Sequence, residues 1–255
     1  MKENKNKKIL IFGGSGFLGK NLINTLGEFD FEIIVFSQKK TLEKKILKYI
    51  PKNNLKIVGW SLDNIQSIEN HFLKVEAVIN LCGILYENKR GDFYRVHSDL
   101  PAILGKMSSK HNVRNLIHIS ALGVSENSKS KYSSSKASGE RRLLENFPNA
   151  KILRPSLLFG HGDNFFGQFS QMASISPVLP LISRSTKFQP ISVIDVATGI
   201  INLLIGKRNK NTLYELGGQS TYSFEELLKT LLEVKKIKRI FLPLSPKLMK
   251  IPAFF

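Results

Sequence analysis

The chain has 255 residues, enough for one full α/β domain with a small appendage, and its formal net charge is +18. Its single cysteine excludes an internal disulfide and a cysteine-based zinc site, and its five histidines show no metal-ligand spacing, so no metal site is predicted. The basic excess reflects either a lysine-rich composition alone or attraction to anionic partners. Because no nucleic-acid-binding module is present, we expect no nucleic acid partner, and a membrane surface stays as the alternative.

Neither the N-terminal residues nor the longest apolar run has a pattern typical of membrane insertion. The N-terminal residues lead directly into an apolar segment, which predicts that there is no signal peptide. The longest apolar run, 191–205, is too short to span a bilayer and contains Asp195. We therefore expect a cytoplasmic protein, with peripheral attachment to the inner face of the cytoplasmic membrane as the alternative.

Short apolar runs alternate with helical patterns through the first 154 residues. Strands are predicted at Lys8–Phe12, Phe31–Phe36, Leu55–Gly59, Ala77–Leu81, Leu116–Ser120 and Ala150–Arg154. Helices are predicted at Phe17–Leu26, Leu42–Tyr49, Ile65–Phe72, Leu100–His111 and Ser133–Asn146. This alternation predicts an α/β fold with a Rossmann-type, doubly wound parallel sheet.

The pattern changes after Arg154, where glycine and proline become frequent. Residues 159–190 are predicted to be rich in loops and to lie on the substrate side. A helix at Val193–Leu204 and a strand at Leu213–Leu216 should return to the main sheet, and Ser223 should cap a last helix. We therefore expect a dinucleotide-binding domain at 1–158, completed by 191–217, and a small C-terminal substrate-side region made of 159–190 and 218–255.

A glycine-rich turn follows the first predicted strand, with the spacing Gly13-x-x-Gly16-x-x-Gly19. The first glycine permits the tight turn, the second allows close approach of phosphates, and the third lets the helix pack against the sheet. The helix that follows directs free N–H groups at an anion. A glycine turn without a ligand is the alternative, but the strand, turn, helix and second strand together favour a dinucleotide pyrophosphate.

Tyr132 and Lys136 are four residues apart at the start of a predicted helix, so they share one face. A nearby ammonium group stabilises a phenolate, so we expect the lysine to lower the pKa of the tyrosine. Such a pair can transfer a proton to a substrate carbonyl. A chance pair of surface residues is the alternative.

Several stretches together resemble atypical short-chain dehydrogenase/reductases of the NAD-dependent epimerase/dehydratase superfamily. They are Phe12–Gly19, Val78–Gly83, Leu116–Gly123, Tyr132–Glu140, Arg154–Gly160 and Gln189–Ala197. Within the superfamily, the chain resembles the NADPH-carrying accessory subunits of respiratory complex I and their bacterial relatives. The stretch Ser120-Ala-Leu-Gly123 and the short gap to Tyr132 narrow the resemblance to this group.

The resemblance implies roles for further residues. Contacts to the cofactor are implied for Gly13, Ser15, Gly16, Phe17, Leu18, Gly19, Ser61, Leu62, Leu81, Cys82, Gly83, Tyr132, Lys136, Pro155, Ser156 and Leu157. Asp63 could replace the aspartate that the family has at the position of Ser61. His97 faces the site and is expected to be packed and hydrogen-bonded, and Asp195 is expected to be structural. The catalytic serine of the family corresponds to a position near Ala121 or Leu122 and not clearly to Ser120, which puts catalysis in doubt.

The residues after the second strand bear on the choice of cofactor. Proteins specific for NAD place a carboxylate there, whereas this chain has Phe36-Ser-Gln-Lys-Lys40. Ser37, Lys39 and Lys40 could bind a 2′-phosphate, which favours NADP(H) over NAD(H). The alternative is that these lysines only reflect the general basic excess.

Three functions are compatible with these features. The first is a protein that holds NADP(H) without catalysis and is attached to a respiratory complex or another quinone-linked system. The second is a working NADP-dependent reductase or epimerase with a small-molecule carbonyl or sugar substrate, which the pair Tyr132 and Lys136 supports. The third is a regulator that senses NADP(H), for which the sequence has no distinct signal.

Overall fold

The structure is a computed structural model that describes residues 7–37, 54–206 and 211–244. The predicted helix Leu42–Tyr49 and the predicted cofactor residue Lys39 lie outside the described residues. The chain forms two compact units. The first comprises Met1–Pro155 and Ile194–Glu215, and the second comprises Ser156–Val193 and Leu216–Phe255.

A seven-stranded sheet forms the centre of the first unit. Its strands are β1 (Lys7–Phe12), β2 (Phe31–Ser37), β3 (Leu55–Gly59), β4 (Val75–Asn80), β5 (Asn115–Ile119), β6 (Lys151–Pro155) and β11 (Leu213–Leu216). Their order in the sheet is β11-β6-β5-β4-β1-β2-β3, and the pairings from β6 to β3 are parallel. The chain therefore winds outward in both directions from β1, which confirms the doubly wound parallel sheet. In such sheets ligands bind beyond the carboxyl ends of the strands where the order reverses, here between β1 and β4.

Helices flank this sheet in the order that the sequence predicts, with two differences. Four α-helices begin and end within two residues of the predicted bounds. They are α1 (Phe17–Leu26), α3 (Leu100–Lys110), α4 (Lys131–Asn146) and α6 (Val193–Ile205). The segment Leu62–Phe72 is a 3₁₀ helix and not an α-helix, and Asn64 interrupts it with non-helical dihedral angles. Before α3, a short helix α2 (Asp92–Tyr94) and a π-helical turn (Arg95–Asp99) extend the helical stretch in the N-terminal direction.

The core of the first unit explains why the strands are apolar throughout. Residues Ile9–Phe12 of β1 are completely buried, as expected for a central strand covered on both faces. Phe12 stacks on Phe36 with ring centroids 4.5 Å apart and meets the edge of Trp60 at 5.3 Å. These aromatic contacts hold the carboxyl ends of β1 and β2 together beneath the glycine turn.

The second unit contains more regular structure than the predicted loop-rich region. Residues 164–175 form a helix, α5 (Asn164–Ile175), because the carboxylate of Asp163 accepts a hydrogen bond from the N–H of Phe166 at 2.7 Å and caps it. The predicted last helix is α7 (Phe224–Val234), capped by Ser223. The remaining strands are β7 (Leu158–Phe159), β8 (Val178–Ile182), β9 (Lys187–Phe188), β10 (Ile191–Ser192), β12 (Tyr222–Ser223) and β13 (Ile240–Leu244). Among the described residues, no helix combines the length and the apolar composition needed to cross a bilayer.

Candidate functional site

The glycine turn lies at the carboxyl end of β1, where the strand order reverses. Gly13 has a φ of +79°, and a Cβ there would lie 2.9 Å from the backbone nitrogen of Cys82. A Cβ on Gly19 would come within 2.5 Å of the Cα of Gly14. Gly14 itself, which the sequence pattern does not single out, has no room for a side chain because Val35 of β2 would lie 2.6 Å away. The turn therefore requires glycine at three positions to place α1 directly against β1 and β4.

Gly16 differs from the other glycines of the turn because the space beside it is open. Its φ is −73°, it is exposed, and a Cβ there would meet only the carbonyl oxygen of Gly13 at 3.3 Å. Helix α1 starts at the next residue with no side-chain cap and no acidic residue in its first turn. The first N–H groups of a helix have no partner within the helix, so they are available to an anion. The arrangement of Gly13, Ser15, Gly16, Phe17, Leu18 and Gly19 therefore fits the pyrophosphate of a dinucleotide.

The predicted contacts to the adenosine half lie at the ends of β2 and β3. Ser37 is the last residue of β2 and is buried, and the neighbouring Lys39 is outside the described residues. Ser61 is exposed and Leu62 is half-buried, both just beyond β3. Asp63 is engaged elsewhere, because its carboxylate accepts a hydrogen bond from Arg95 at 2.5 Å. Only the Oδ1 of Asp63 takes part in this ion pair, so the carboxylate still has an oxygen that could accept a further hydrogen bond.

The segment Leu81–Gly83 continues β4 along the edge of the glycine turn. The N–H of Cys82 donates to the side-chain oxygen of Asn80 at 3.1 Å. Desolvation raises the pKa of the Cys82 thiol to about 12, so this cysteine is protonated at neutral pH and is not a nucleophile. A Cβ on Gly83 would lie 3.4 Å from the Nζ of Lys136, which shows that this segment lies against the lysine.

Tyr132 and Lys136 share one face at the start of α4, as predicted. The Nζ of Lys136 lies 5.9 Å from the centroid of the Tyr132 ring and donates a hydrogen bond to the carbonyl oxygen of Ile119 at 3.1 Å. Burial lowers the pKa of Lys136 to about 8, although the carboxylate of Glu140 opposes this effect. The lysine is thus held at the carboxyl end of β5 and stays largely protonated at neutral pH.

The expected effect of Lys136 on Tyr132 is corrected by the structure. Burial raises the pKa of the Tyr132 hydroxyl above its usual range instead of lowering it. Desolvation disfavours a phenolate, while the ammonium group of Lys136 donates a hydrogen bond to the Ile119 carbonyl. In this structure, Tyr132 is therefore a neutral proton donor.

His97 and Phe93 pack against Tyr132 and fix the position of its ring. Their ring centroids lie 5.3 Å and 6.0 Å from that of Tyr132, both in edge-on geometry. The Nε2 of His97 accepts a hydrogen bond from the N–H of Ile84 at 3.0 Å, and its Nδ1 lies 3.0 Å from the hydroxyl of Ser135. The packed, hydrogen-bonded role expected for His97 agrees with this geometry, whereas the contribution of Phe93 is not visible in the sequence.

Ser120 is at the carboxyl end of β5 but does not present its hydroxyl to the site. Its N–H donates to the carbonyl oxygen of Leu153 at 2.7 Å, and its hydroxyl is fully buried without a hydrogen-bond partner among the described residues. Ala121 is half-buried and Leu122 is exposed, and neither has a side-chain hydroxyl. None of the three positions therefore presents an accessible hydroxyl for polarising a carbonyl.

The remaining predicted contacts fall in both units. Pro155 ends β6 in the first unit, and its carbonyl oxygen accepts from the N–H of Leu122 at 3.0 Å. Ser156 and Leu157 belong to the second unit, where the Ser156 hydroxyl accepts from the N–H of Gln189 at 3.3 Å. The first unit thus brings together the glycine turn, Leu81–Gly83, Tyr132 and Lys136. Asp195 is exposed in the first turn of α6.

The two buried histidines beside Lys136 should make the free energy of unfolding depend on pH. Burial lowers the pKa of His97 and of His118 to about 3, and the charge of Lys136 adds to the effect. In the unfolded chain a histidine titrates near pH 6.5, so between pH 6.5 and 3 the unfolded state binds more protons. Stability contributed by each neutral histidine is therefore present above pH 6.5 and is lost on acidification, at about 1.4 kcal/mol per pH unit.

We therefore expect His118→Gln to weaken the pH dependence of stability by about 1.4 kcal/mol per pH unit. The measurement is urea-induced unfolding at pH values from 6.5 to 4.5. His161→Gln, at an exposed position, is the matched control and should leave the slope of wild type unchanged. An equal slope for wild type and His118→Gln would contradict the burial of a neutral His118.

Curated relatives of the chain include subunits of a respiratory enzyme. The chain is 28% identical over 242 residues to NADH dehydrogenase (ubiquinone) 1 alpha subcomplex subunit 9 of Dictyostelium discoideum, covering 94% of this chain and 67% of that protein. The same subunit of Mus musculus is 31% identical over 222 residues, covering 86% and 59%. A ceramide reductase of Caulobacter vibrioides is 26% identical over 193 residues, covering 76% and 59%. The chain thus spans roughly three fifths to two thirds of the length of these relatives.

Solved structures with the same fold include enzymes in complex with NAD or NADP. The Bordetella bronchiseptica enzyme WbmG in complex with NAD superimposes with a TM-score of 0.79 at 18% identity, over 95% of this chain and 82% of that one. A dTDP-4-dehydrorhamnose reductase of Bacillus anthracis in complex with NADP gives a TM-score of 0.77 at 18% identity, over 97% and 87%. At this identity the likeness establishes the fold. The family model for the RmlD substrate binding domain matches residues 7–247, so the chain belongs to that family, within the atypical short-chain dehydrogenase/reductases.

Proposed function

We propose that the protein binds NADP(H) at the carboxyl edge of its first unit and holds it as an accessory or assembly protein of respiratory complex I or of another quinone-linked system. Similarity to subunit 9 of the NADH dehydrogenase (ubiquinone) 1 alpha subcomplex from two distant organisms supports the accessory role. The position of the site in the fold supports the dinucleotide, because doubly wound sheets bind such ligands where the strand order reverses.

The enclosed hydroxyl of Ser120 carries the proposal that the cofactor is held and not used. The glycine turn around Gly13 and Gly16 would hold a pyrophosphate, whereas the hydroxyl of Ser120 is enclosed and burial raises the pKa of the Tyr132 phenol. A reductase of this family needs a hydroxyl that polarises the carbonyl together with an acidic tyrosine. The positions Ser120 to Leu122 offer no accessible hydroxyl for that role, which supports a cofactor that is held and not used.

The preference for NADP(H) over NAD(H) rests on charge at the end of β2. The stretch after Phe36 has no carboxylate that would bind ribose hydroxyls and repel a 2′-phosphate. Ser37 and Lys39 would instead hold the phosphate, and the high net charge favours the more anionic dinucleotide. Ser61, Leu62, Leu81, Cys82, Gly83, Pro155, Ser156 and Leu157 would border the adenosine and nicotinamide halves.

The second candidate function is an active NADP-dependent reductase or epimerase. The bound nicotinamide would supply or accept a hydride, while Tyr132 would donate a proton to the carbonyl oxygen of the substrate. The protonated Lys136 on the same helix face would stabilise the resulting phenolate and bind the ribose. The ceramide reductase among the relatives supports this alternative.

The proposed location follows from the proposed partner. A protein attached to a quinone-linked complex would work in the cytoplasm at the inner face of the membrane. The formal charge of +18 favours this arrangement, because the cytoplasmic membrane surface is anionic.

The first experiment identifies the nucleotide carried by the native protein. We expect wild type, purified from its host without added nucleotide and then denatured, to release close to one equivalent of NADP(H), detected by mass spectrometry. Tyr132→Phe should release the same amount and should still support respiratory activity in cells, because the phenol is not used. Tyr214→Phe, at a half-buried tyrosine of β11, is the matched control.

Three results would change this interpretation. Release of NAD(H) would overturn the preference for NADP(H). An empty protein that binds NADPH weakly, together with loss of cellular function in Tyr132→Phe, would favour the reductase. An empty protein that binds neither dinucleotide would overturn both functions.

A further inference from the structure

Four large apolar side chains around Tyr132 are exposed to solvent. They are Leu85 (54% exposed), Tyr86 (56%), Tyr94 (45%) and Leu122 (41%). All four come from the first unit, and they lie in the segments that follow β4 and β5 and in helix α2. Exposed apolar residues that converge on one site commonly mark a contact surface.

Hydrogen bonds fix these residues close to the start of α4. The N–H of Ile84, next to Leu85, is bound to His97, whose ring packs against Tyr132. The hydroxyl of Tyr94 lies 3.3 Å from that of Ser134 in the first turn of α4. On the other side, the N–H of Ser125, three residues after Leu122, donates to the hydroxyl of Ser133 at 3.0 Å. These bonds tie the segments that carry the four side chains to the first turn of α4 and to His97 beside Tyr132, and we call the four side chains the apolar rim.

Cations accompany the apolar rim. Lys89, Arg90 and Lys129 are exposed and have no acidic partner among the described residues. Glu87 and Glu126 nearby are paired with cations, whereas Asp92 accepts from the N–H of Lys89 and forms no ion pair among the described residues. Glu87 pairs with Lys131 and accepts from two backbone N–H groups, and Glu126 pairs with Arg141. The charge left on this surface is positive.

Apolar groups, tyrosines and unpaired cations on one surface match the chemistry of an anionic bilayer. Tyrosine prefers the boundary between headgroups and acyl chains, and lysine and arginine bind anionic headgroups. A second copy of the chain would present the same cations and would be repelled. We propose that the apolar rim, with Lys89, Arg90 and Lys129, docks on the surface of a membrane that contains anionic lipid. This inference rests on the proposed function, because it directs the cofactor site of a quinone-linked protein toward the lipid phase.

The test is sedimentation of purified protein with vesicles. Wild type should bind vesicles of phosphatidylglycerol and phosphatidylcholine, bind less as salt is raised, and bind pure phosphatidylcholine vesicles weakly. Lys89→Glu with Arg90→Glu should weaken binding at least about 25-fold, because each lost cation costs about five-fold and the new carboxylates are repelled by the anionic surface. Leu85→Ser with Tyr86→Ser should weaken it about ten-fold or more through lost apolar burial.

A matched control lies at the opposite edge of the sheet. Leu73 is 55% exposed, and Lys74 is exposed beside it, just before the amino end of β4. Leu73→Ser with Lys74→Glu removes one exposed apolar side chain and one exposed cation away from the apolar rim. This variant should bind vesicles like wild type. Equal losses in the control and the rim variants would overturn the assignment of this surface.

Nucleotide content separates this inference from the proposed function. A wild-type protein that carries NADP(H) but ignores anionic vesicles would overturn the membrane surface alone. A protein that binds vesicles through the rim but carries no dinucleotide would overturn the proposed function and leave the surface standing. A dimer that the rim variants convert to monomer would show that a second copy covers the rim, which also overturns the inference.

Discussion

Gly16→Val should abolish dinucleotide binding while the protein keeps its fold. The backbone of Gly16 has a φ of −73° and a ψ of 178°, which valine adopts readily, and a Cβ there meets only one atom at 3.3 Å. The added methyl groups would occupy the open space at the start of α1, where a phosphate must approach the helix N–H groups. We expect affinity for NADPH to fall at least about 100-fold, since the ligand loses its charge-assisted hydrogen bonds to the helix terminus.

Two measurements test this expectation. Calorimetric titration with NADPH gives the affinity, and thermal unfolding without nucleotide shows whether the fold is kept. Gly199→Val in α6, where a Cβ would meet no atom within 4 Å, is the matched control and should bind NADPH normally. Normal affinity in Gly16→Val would mean that the pyrophosphate does not bind at this turn.

Gly19 gives the contrasting case within the same turn. A Cβ there would lie 2.5 Å from Gly14 and 2.6 Å from the carbonyl oxygen of Gly13, both backbone atoms that cannot move independently. Gly19→Ala should therefore lower stability as well as binding. Of the two glycines, Gly16 is thus the one whose substitution reports on the ligand alone.

Much of the first unit follows from patterns that are local in the sequence. Strands such as β1 are short apolar runs because they are buried on both faces, and helix α1 is bounded by the glycine turn and by Gly27. The 3₁₀ helix at Leu62–Phe72 was not predictable from periodicity, because apolar spacing does not distinguish one turn geometry from another. Helix α5 was missed because the frequent glycines and prolines around it outweighed the capping signal of Asp163.

The candidate site could also be predicted only in part, but the reason differs from the reason for the missed helices. Two motifs could be recognised because each lies within a single turn or a single helix, where the spacing of residues determines which side chains are neighbours. They are the glycine turn with Gly13, Gly16 and Gly19, and the helical pair Tyr132 and Lys136. The raised pKa of Tyr132 and the enclosed hydroxyl of Ser120 depend on burial by distant segments, which no local spacing encodes. The contact between Arg154 and Glu140 likewise joins a strand to a helix, and it sets the position of the helix that carries the catalytic candidates.

Removing Arg154 from this contact should be among the most destabilising single changes in the first unit. Its guanidinium donates two hydrogen bonds to the Glu140 carboxylate, at 3.0 Å and 2.6 Å, and the two side chains are only 20% and 8% exposed. Arg154→Met would leave the carboxylate buried without its partner, which costs about 3 kcal/mol. The free energy of urea-induced unfolding at pH 7 measures this loss.

Arg141 on the same helix supplies the matched control. It forms ion pairs with Glu126 and Glu145 at 2.9 Å and 2.5 Å, but all three side chains are about half exposed. Solvent screens such pairs, so Arg141→Met should cost less than about 1 kcal/mol. A similar cost for both variants would mean that water reaches the Arg154 pair as freely as the surface pair.

A double variant separates the ion pair from the packing around it. Glu140→Leu combined with Arg154→Met removes both charges, so most of the stability lost in Arg154→Met should return. Glu140 lies one turn after Lys136 in α4, so the pair also holds the lysine at the end of β5. We therefore expect Arg154→Met to weaken NADPH binding, whereas Arg141→Met should not. The double variant could regain the free energy of unfolding without regaining affinity for NADPH. That result would mean that the ion pair contributes to binding by positioning Lys136 and contributes little to the stability of the fold.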